Sequence, residues 1–222
     1  FQKYPEKATV EDLRKLRRER NLKIIGLAEE AIPLTAKDPK LEEVFNAVIH
    51  QLLESRVALA TQGKEDDIYD LYDLADLLYK RNKKSKSAAE AAYQVAAFAN
   101  RNALRYSDPK GEWLTEFVRR ARLFATNFPA EKARAVRLLD AAGRSSEYHQ
   151  NIPSAISCYQ QLKQQFPDMI QAKRATAVLR RLQLAGKPVL LKGPSIDGGF
   201  VDIQDSRSKV VLVVYWATGH KA

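Results

Sequence analysis

The sequence predicts a mainly α protein: stacked antiparallel helical hairpins over residues 1–186, then a short β segment over residues 187–222. Three observations carry that expectation. Before Gly186, apolar residues recur every three or four positions in one segment after another, the spacing that gathers them on one helix face. Phe128-Pro129 and Phe166-Pro167 each close such a segment, 38 residues apart, and an alanine-bearing amphipathic segment follows each. A period of that length is typical of helical-hairpin repeats. After Gly186-Lys187 the pattern changes to short runs bounded by Gly, Asp and Ser, ending in the apolar residues Val210 to Ala217. A continuous run rich in β-branched and aromatic side chains reads as a strand covered on both faces.

Thr9-Val10-Glu11-Asp12 is a capping-box start, with Asp12 in place of the usual Glu or Gln. The helix behind it carries Leu13, Leu16, Ile24, Leu27 and Ala31 and is expected to end before Pro33. Asp38-Pro39 supplies an N-cap with proline at the first helical position. Leu41, Val44, Phe45, Val48, Leu52 and Leu53 then face inward until Gly63. A third helix runs from about Asp66 to Lys80, with Ile68, Leu71, Tyr72, Ala75, Leu78 and Tyr79 inward. Ser87 and Glu90 have capping-box spacing and open an alanine-rich helix through Tyr93, Ala96, Ala97, Ala99 and Leu104. After a loop at 106–111, Trp113, Leu114, Phe117, Ala121 and Phe124 share a face. A helix from Ala130 to Ala142, stopped by Gly143, comes next, then one bearing Ala155, Ile156, Tyr159 and Leu162. The last helix spans Asp168 to Ala185. Beyond it, strands are expected at Val189–Leu191, Phe200–Ile203 and Lys209–Trp216, with turns at Asp197-Gly198-Gly199 and at Asp205–Ser208.

At 222 residues, 45% hydrophobic and 29% charged, the chain has the composition of an ordinary globular protein. A helical part of this length buries a core without disulfides. Cys158 is the only cysteine, so the chain can form no internal disulfide, CxxC pair or cysteine-based zinc site. A net charge of +10 brings nucleic acid, an anionic membrane surface or an acidic partner into consideration. The charge is densest in Arg14-Lys15-Leu16-Arg17-Arg18-Glu19-Arg20 and again from Lys80 to Lys86. These cations alternate with acids along helices, so a solvated helix face is the first reading and nucleic acid the least favoured partner. The Val210 run falls well short of the roughly 20 residues of a membrane span, so no transmembrane segment is expected.

Ala155-Ile156-Ser157-Cys158-Tyr159-Gln160-Gln161-Leu162, closed by Pro167, resembles the second helix of a tetratricopeptide repeat (TPR), and Arg134 to Gly143 resembles the first. Such TPR-like hairpins bury their apolar faces by stacking on neighbours, and their concave surfaces suit protein or peptide binding. The tail resembles the opening of thioredoxin-like thiol–disulfide oxidoreductases and AhpC/TSA-type redoxins, above all the cell-envelope (TlpA/ResA) type. Gly186-Lys187-Pro188, Asp197-Gly198, Val201-Asp202-Ile203, Ser208-Lys209 and Val210 to Thr218 stand in that family's order. The resemblance implies a full-length redox enzyme of the cell envelope or periplasm, working without a cofactor on a redox protein partner. The helical part would be its docking module, holding a protein partner.

In that family the buried strand leads to a helix N-terminus, where unpaired N–H groups stabilise a cysteine thiolate. A second cysteine one turn later resolves the mixed disulfide. Here Gly219-His220-Lys221-Ala222 follows Thr218 without a cysteine, so no catalytic residue carries over. By resemblance Trp216, Ala217 and Thr218 match positions flanking the active site. The chain by itself is therefore expected to be inactive, and a non-catalytic interaction scaffold of TPR type is the alternative reading.

Other candidates carry less. His50 and His149 lie on separate helices without ligand spacing, and no metal is expected there. Cys158, beside Tyr159 and Ile156, reads as a buried small hydrophobe rather than a nucleophile. Asp66, Asp67, Asp70, Asp73 and Asp76 recur at three- and four-residue spacing. With no loop or glycine among them they read as a solvated acidic helix face, a basic neighbour being a further option, and not as a calcium site. An open-edged strand from Val210 to Tyr215 would template self-association. It is therefore expected to be covered by the helical domain, by a second chain or by further residues.

Overall fold

A computed structural model describes residues 9–104, 110–184, 186–188, 190–206 and 210–214. The chain divides into two compact units, Phe1–Leu179 and Arg180–Ala222. Among the described residues the first holds α1 (Val10–Thr35), α2 (Glu42–Ala60), α3 (Glu65–Arg81), α4 (Lys86–Ala103), α5 (Glu112–Asn127), α6 (Lys132–Tyr148), α7 (Ile152–Gln165) and most of α8 (Ile170–Leu182). The connections Thr61–Lys64, Asn82–Ser85, Phe128–Glu131 and His149–Asn151 are short enough to force antiparallel neighbours. From α1 to α7 each helix packs on the next, while α4 also packs on both α2 and α6, and α5 on α7. Helices α2, α4 and α6 therefore form one row, with α5 and α7 in the facing one.

The core follows from the helix faces. Small residues on α4 (Ala88, Ala91, Ala96, Ala99) are fully buried and let α3 and α5 approach closely. Phe98 of α4 then meets Tyr72 and Trp113 edge-on, and Phe124 of α5 contacts Tyr93 and Phe128. The two Phe-Pro closures repeat one geometry. Phe128 donates its backbone N–H to the Phe124 carbonyl, Phe166 donates to Leu162, and both rings are buried.

Several helix ends differ from the sequence expectation. Helix α1 passes through Pro33 to Thr35. Pro33 sits in the last turn, where the missing N–H removes a single helical bond and the Ala36 N–H still closes on the Ile32 carbonyl. The inward face of α1 is set by Ile25 and Ala28, while Leu27 is exposed. With Ile24, Ala31, Val44 and Val48, Leu27 lines an apolar groove of about 310 Å³ on α1 and α2. Ser87 does not cap α4. Ser85 does, its hydroxyl accepting from the Ala88 N–H, and buried Ser87 instead donates to Asn46 Oδ1 on α2. Glu90 turns to Arg134 of α6 at 2.8 Å.

Gly143 does not stop α6 but lies inside it. A Cβ there would stand 2.7 Å from the Tyr159 ring of α7, so glycine is required by close helix approach and not by a turn. Gly63 does end its helix region, at φ +88°.

In the second unit β1 (Lys192–Pro194) and β2 (Phe200–Asp202) pair antiparallel, with Gly193 opposite Val201. Gly198, at φ +84°, makes the turn expected at Asp197-Gly198-Gly199. Lys192 and Asp202 form an ion pair across the hairpin. The first strand thus lies three residues beyond the expected Val189–Leu191. Ile203–Ser206 forms a 3-10 turn where strand and turn were expected. Val210, Val211, Leu212 and Val214 are exposed in this chain and belong to no strand. The expected buried strand is therefore not formed over 210–214. A strand requires paired neighbours, and no described residue offers Val210–Val214 a ladder.

Candidate functional site

Helices α1, α2 and α4, with the turn after α2, leave a groove of about 1360 Å³. Its first wall is α1, whose entry is fixed by Thr9: the Thr9 hydroxyl accepts from the Asp12 N–H, and Asp12 Oδ2 accepts from the Thr9 N–H at 3.0 Å. The Thr9 hydroxyl, donating to Asp12 Oδ2 at 2.6 Å, and after it the Thr9 N–H hold the Asp12 carboxyl below its ordinary range. From this start the helical period carries Arg14, Arg18 and Asn21 along one face, and Lys15, Arg17 and Arg20 flank them on the groove. The second wall is the end of α2 with its turn: Glu54, Val57, Ala58, Thr61, Gln62 and Lys64. Gln94 and Arg101 of α4 complete the lining.

Seven basic side chains and three acidic ones therefore face a common space. Arg18 is committed: its two terminal nitrogens reach the carboxylate of Asp67 on α3 at 2.6 and 3.1 Å, with Asp67 buried. That hydrogen bonding raises the Arg18 pKa further. Arg14, Arg17, Arg20, Lys64 and Arg101 make no ion pair among the described residues. Asn21 is 4% exposed and its side-chain amide makes no hydrogen bond among the described residues. Its amide opens onto the groove, where it can meet water or a ligand.

The cluster Arg14–Arg20 was visible in the sequence, where it reads as a solvated helix face. Lys64, Gln94 and Arg101 carried no local signal, because only tertiary packing brings them to α1.

The acidic stripe of α3, expected first as a solvated face, meets basic neighbours at three positions. Asp67 pairs with Arg18, Asp70 with Arg56, and Asp76 approaches Arg120 at 3.9 Å. Arg56 also reaches Glu29 of α1 at 2.9 Å. Among the described residues no group of His, Cys, Asp and Glu side chains could hold a metal ion. His50 lies on the surface of α2, 3.3 Å from Glu54, and exposed His149 meets Tyr148 edge-on. Cys158 is fully buried, and burial pushes its thiol up to about 11. That is the inert environment of a packing residue, not of a nucleophile. Trp216, Ala217 and Thr218, with Tyr215 and His220, lie outside the described residues. No helix among the described residues is long and apolar enough to cross a membrane. No protein-family model matches the chain, and neither curated proteins nor solved structures returned a match.

Proposed function

We propose that the helical unit is a tetratricopeptide-like docking module for a protein partner, belonging to a thioredoxin-like thiol–disulfide oxidoreductase whose catalytic cysteines are not in this chain. The observation that carries the docking half is the groove between α1, the end of α2 and α4, where cations that make no ion pair among the described residues face one space. Antiparallel pairing of consecutive helices and the close approach of Gly143 to Tyr159 accord with the repeat reading. The redox half rests on the resemblance of Gly186 to Thr218 alone.

Insulin reduction coupled to dithiothreitol tests the redox half. The full-length protein is expected to accelerate insulin precipitation several-fold, whereas residues 1–222, whose single thiol is buried, stay at the background rate. A full-length protein that gives no acceleration leaves the second reading, a non-catalytic interaction scaffold. Inert Cys158 and the absence of a metal-holding cluster among the described residues suit that reading too.

A further inference from the structure

The basic groove has a size, a charge pattern and a polar inventory that together select a ligand class. Its volume exceeds the roughly 300–1,000 Å³ of small-molecule pockets. From Glu11 to Asn21 the α1 wall runs about 15 Å at 1.5 Å per residue. That length accommodates about four or five residues of extended chain at roughly 3.3 Å each. Five cations that make no ion pair among the described residues call for separate anionic groups, and Arg favours carboxylates through paired N–H donors. Val57 and Ala58 give the groove an apolar floor. Asn21 presents to the groove an amide that makes no hydrogen bond among the described residues, and Gln94, whose Nε2 donates to Glu90, keeps its carbonyl for a donor.

We propose that this groove binds an extended acidic peptide segment of a partner protein. Glu or Asp carboxylates of the segment lie against Arg14, Arg17 and Arg101, an aliphatic side chain sits over Val57 and Ala58, and the peptide backbone completes the Asn21 amide. The inference rests on the docking reading above and is independent of the redox one. Nucleic acid fits the same surface less well. Among the described residues no aromatic side chain lines the groove to stack bases. Glu11, Asp12 and Glu54 would also repel the uninterrupted charge of a phosphate backbone, whereas a peptide can place its carboxylates away from them.

Fluorescence anisotropy on the whole 222-residue chain decides it. The probes are a labelled peptide alternating Glu with Leu and Gly, its Glu→Gln counterpart, oligodeoxythymidine and a generic duplex of about 20 base pairs, all near 50 mM salt. The acidic peptide is expected to bind at least tenfold tighter than the other three. Arg14→Glu with Arg17→Glu should weaken it at least tenfold and Arg101→Gln about threefold, with the helical circular dichroism retained. Lys163→Glu, on the exposed face of α7, should change it less than twofold. Equal affinity for the Gln peptide, tighter binding of either oligonucleotide, or groove variants that bind as well as the parent would overturn the proposal. Insulin reduction is scored separately, so loss of the redox reading leaves a peptide-binding groove intact, and loss of peptide binding leaves the redox result standing.

Discussion

Cys158 sits where no solvent reaches it, and its thiol holds its proton to about pH 11 against an ordinary value of 9.0. Below pH 9 the thiol is protonated in folded and unfolded chains alike, so its contribution to stability is complete. Above pH 9 the unfolded chain loses that proton first. The folded state then binds more protons, and stability falls as pH rises towards 11. A gap of this size corresponds to about 2–3 kcal/mol. Urea unfolding at pH 8 and pH 11 should therefore show a smaller stability loss for Cys158→Ala than for the parent, whatever the substitution costs at pH 8. An identical loss would remove the thiol from the explanation. Tyr72 and Tyr159, both raised by burial, steepen the alkaline decline in either protein.

Helices were legible where their cause is local and illegible where a neighbour decides. Periodicity alone located the helices from α1 to α8, and Thr9 gave the correct start of α1, whereas Asp38 caps a 3-10 turn at Pro39–Leu41 and α2 begins at Glu42 without a side-chain cap. Gly143, Pro33 and Ser87 were misread because each has a local meaning that a partner on another element, or its place in the helix, overrides. Gly143 is the clearest case. Alanine there should gain about 1 kcal/mol of helix propensity, yet its Cβ would meet a ring that is 2% exposed and anchored by the Tyr159 hydroxyl donating to Glu147 at 2.7 Å. Overpacking of this kind costs about 1–3 kcal/mol. Gly143→Ala is therefore expected to lower the unfolding free energy on balance. Shortening the ring with Tyr159→Leu should make the same substitution neutral or favourable, a coupling that a double-mutant cycle measures directly. Additive effects would show that the two residues do not touch in solution.

At the scale of the whole molecule, sequence showed how much charge there is but not where it gathers. The acids of α3 and the bases of α1 and α2 are far apart in the chain, and folding joins them through Arg18–Asp67 and through Arg56 between Glu29 and Asp70. Those pairs tie the first three helices together and leave Arg14, Lys15, Arg17 and Arg20 of α1 lining the groove. Asp67→Asn keeps the shape but strands a partly buried guanidinium. A loss of about 1–3 kcal/mol is expected, read as a lower thermal midpoint, and Arg18→Met combined with Asp67→Leu should recover part of it. The tail was the least legible region. Its turn at Gly198 was read correctly, but the apolar run from Val210 needed a sheet around it, and a pattern of side chains does not supply one.

The solitary thiol on α7 also gives the molecule a built-in clock. A soluble thiol reagent reaches Cys158 only after the packing around it has opened, so each modified molecule records one opening event. With no second cysteine to confuse the count, the modification rate reads how often the α6–α7 hairpin breathes without any probe having to be engineered in.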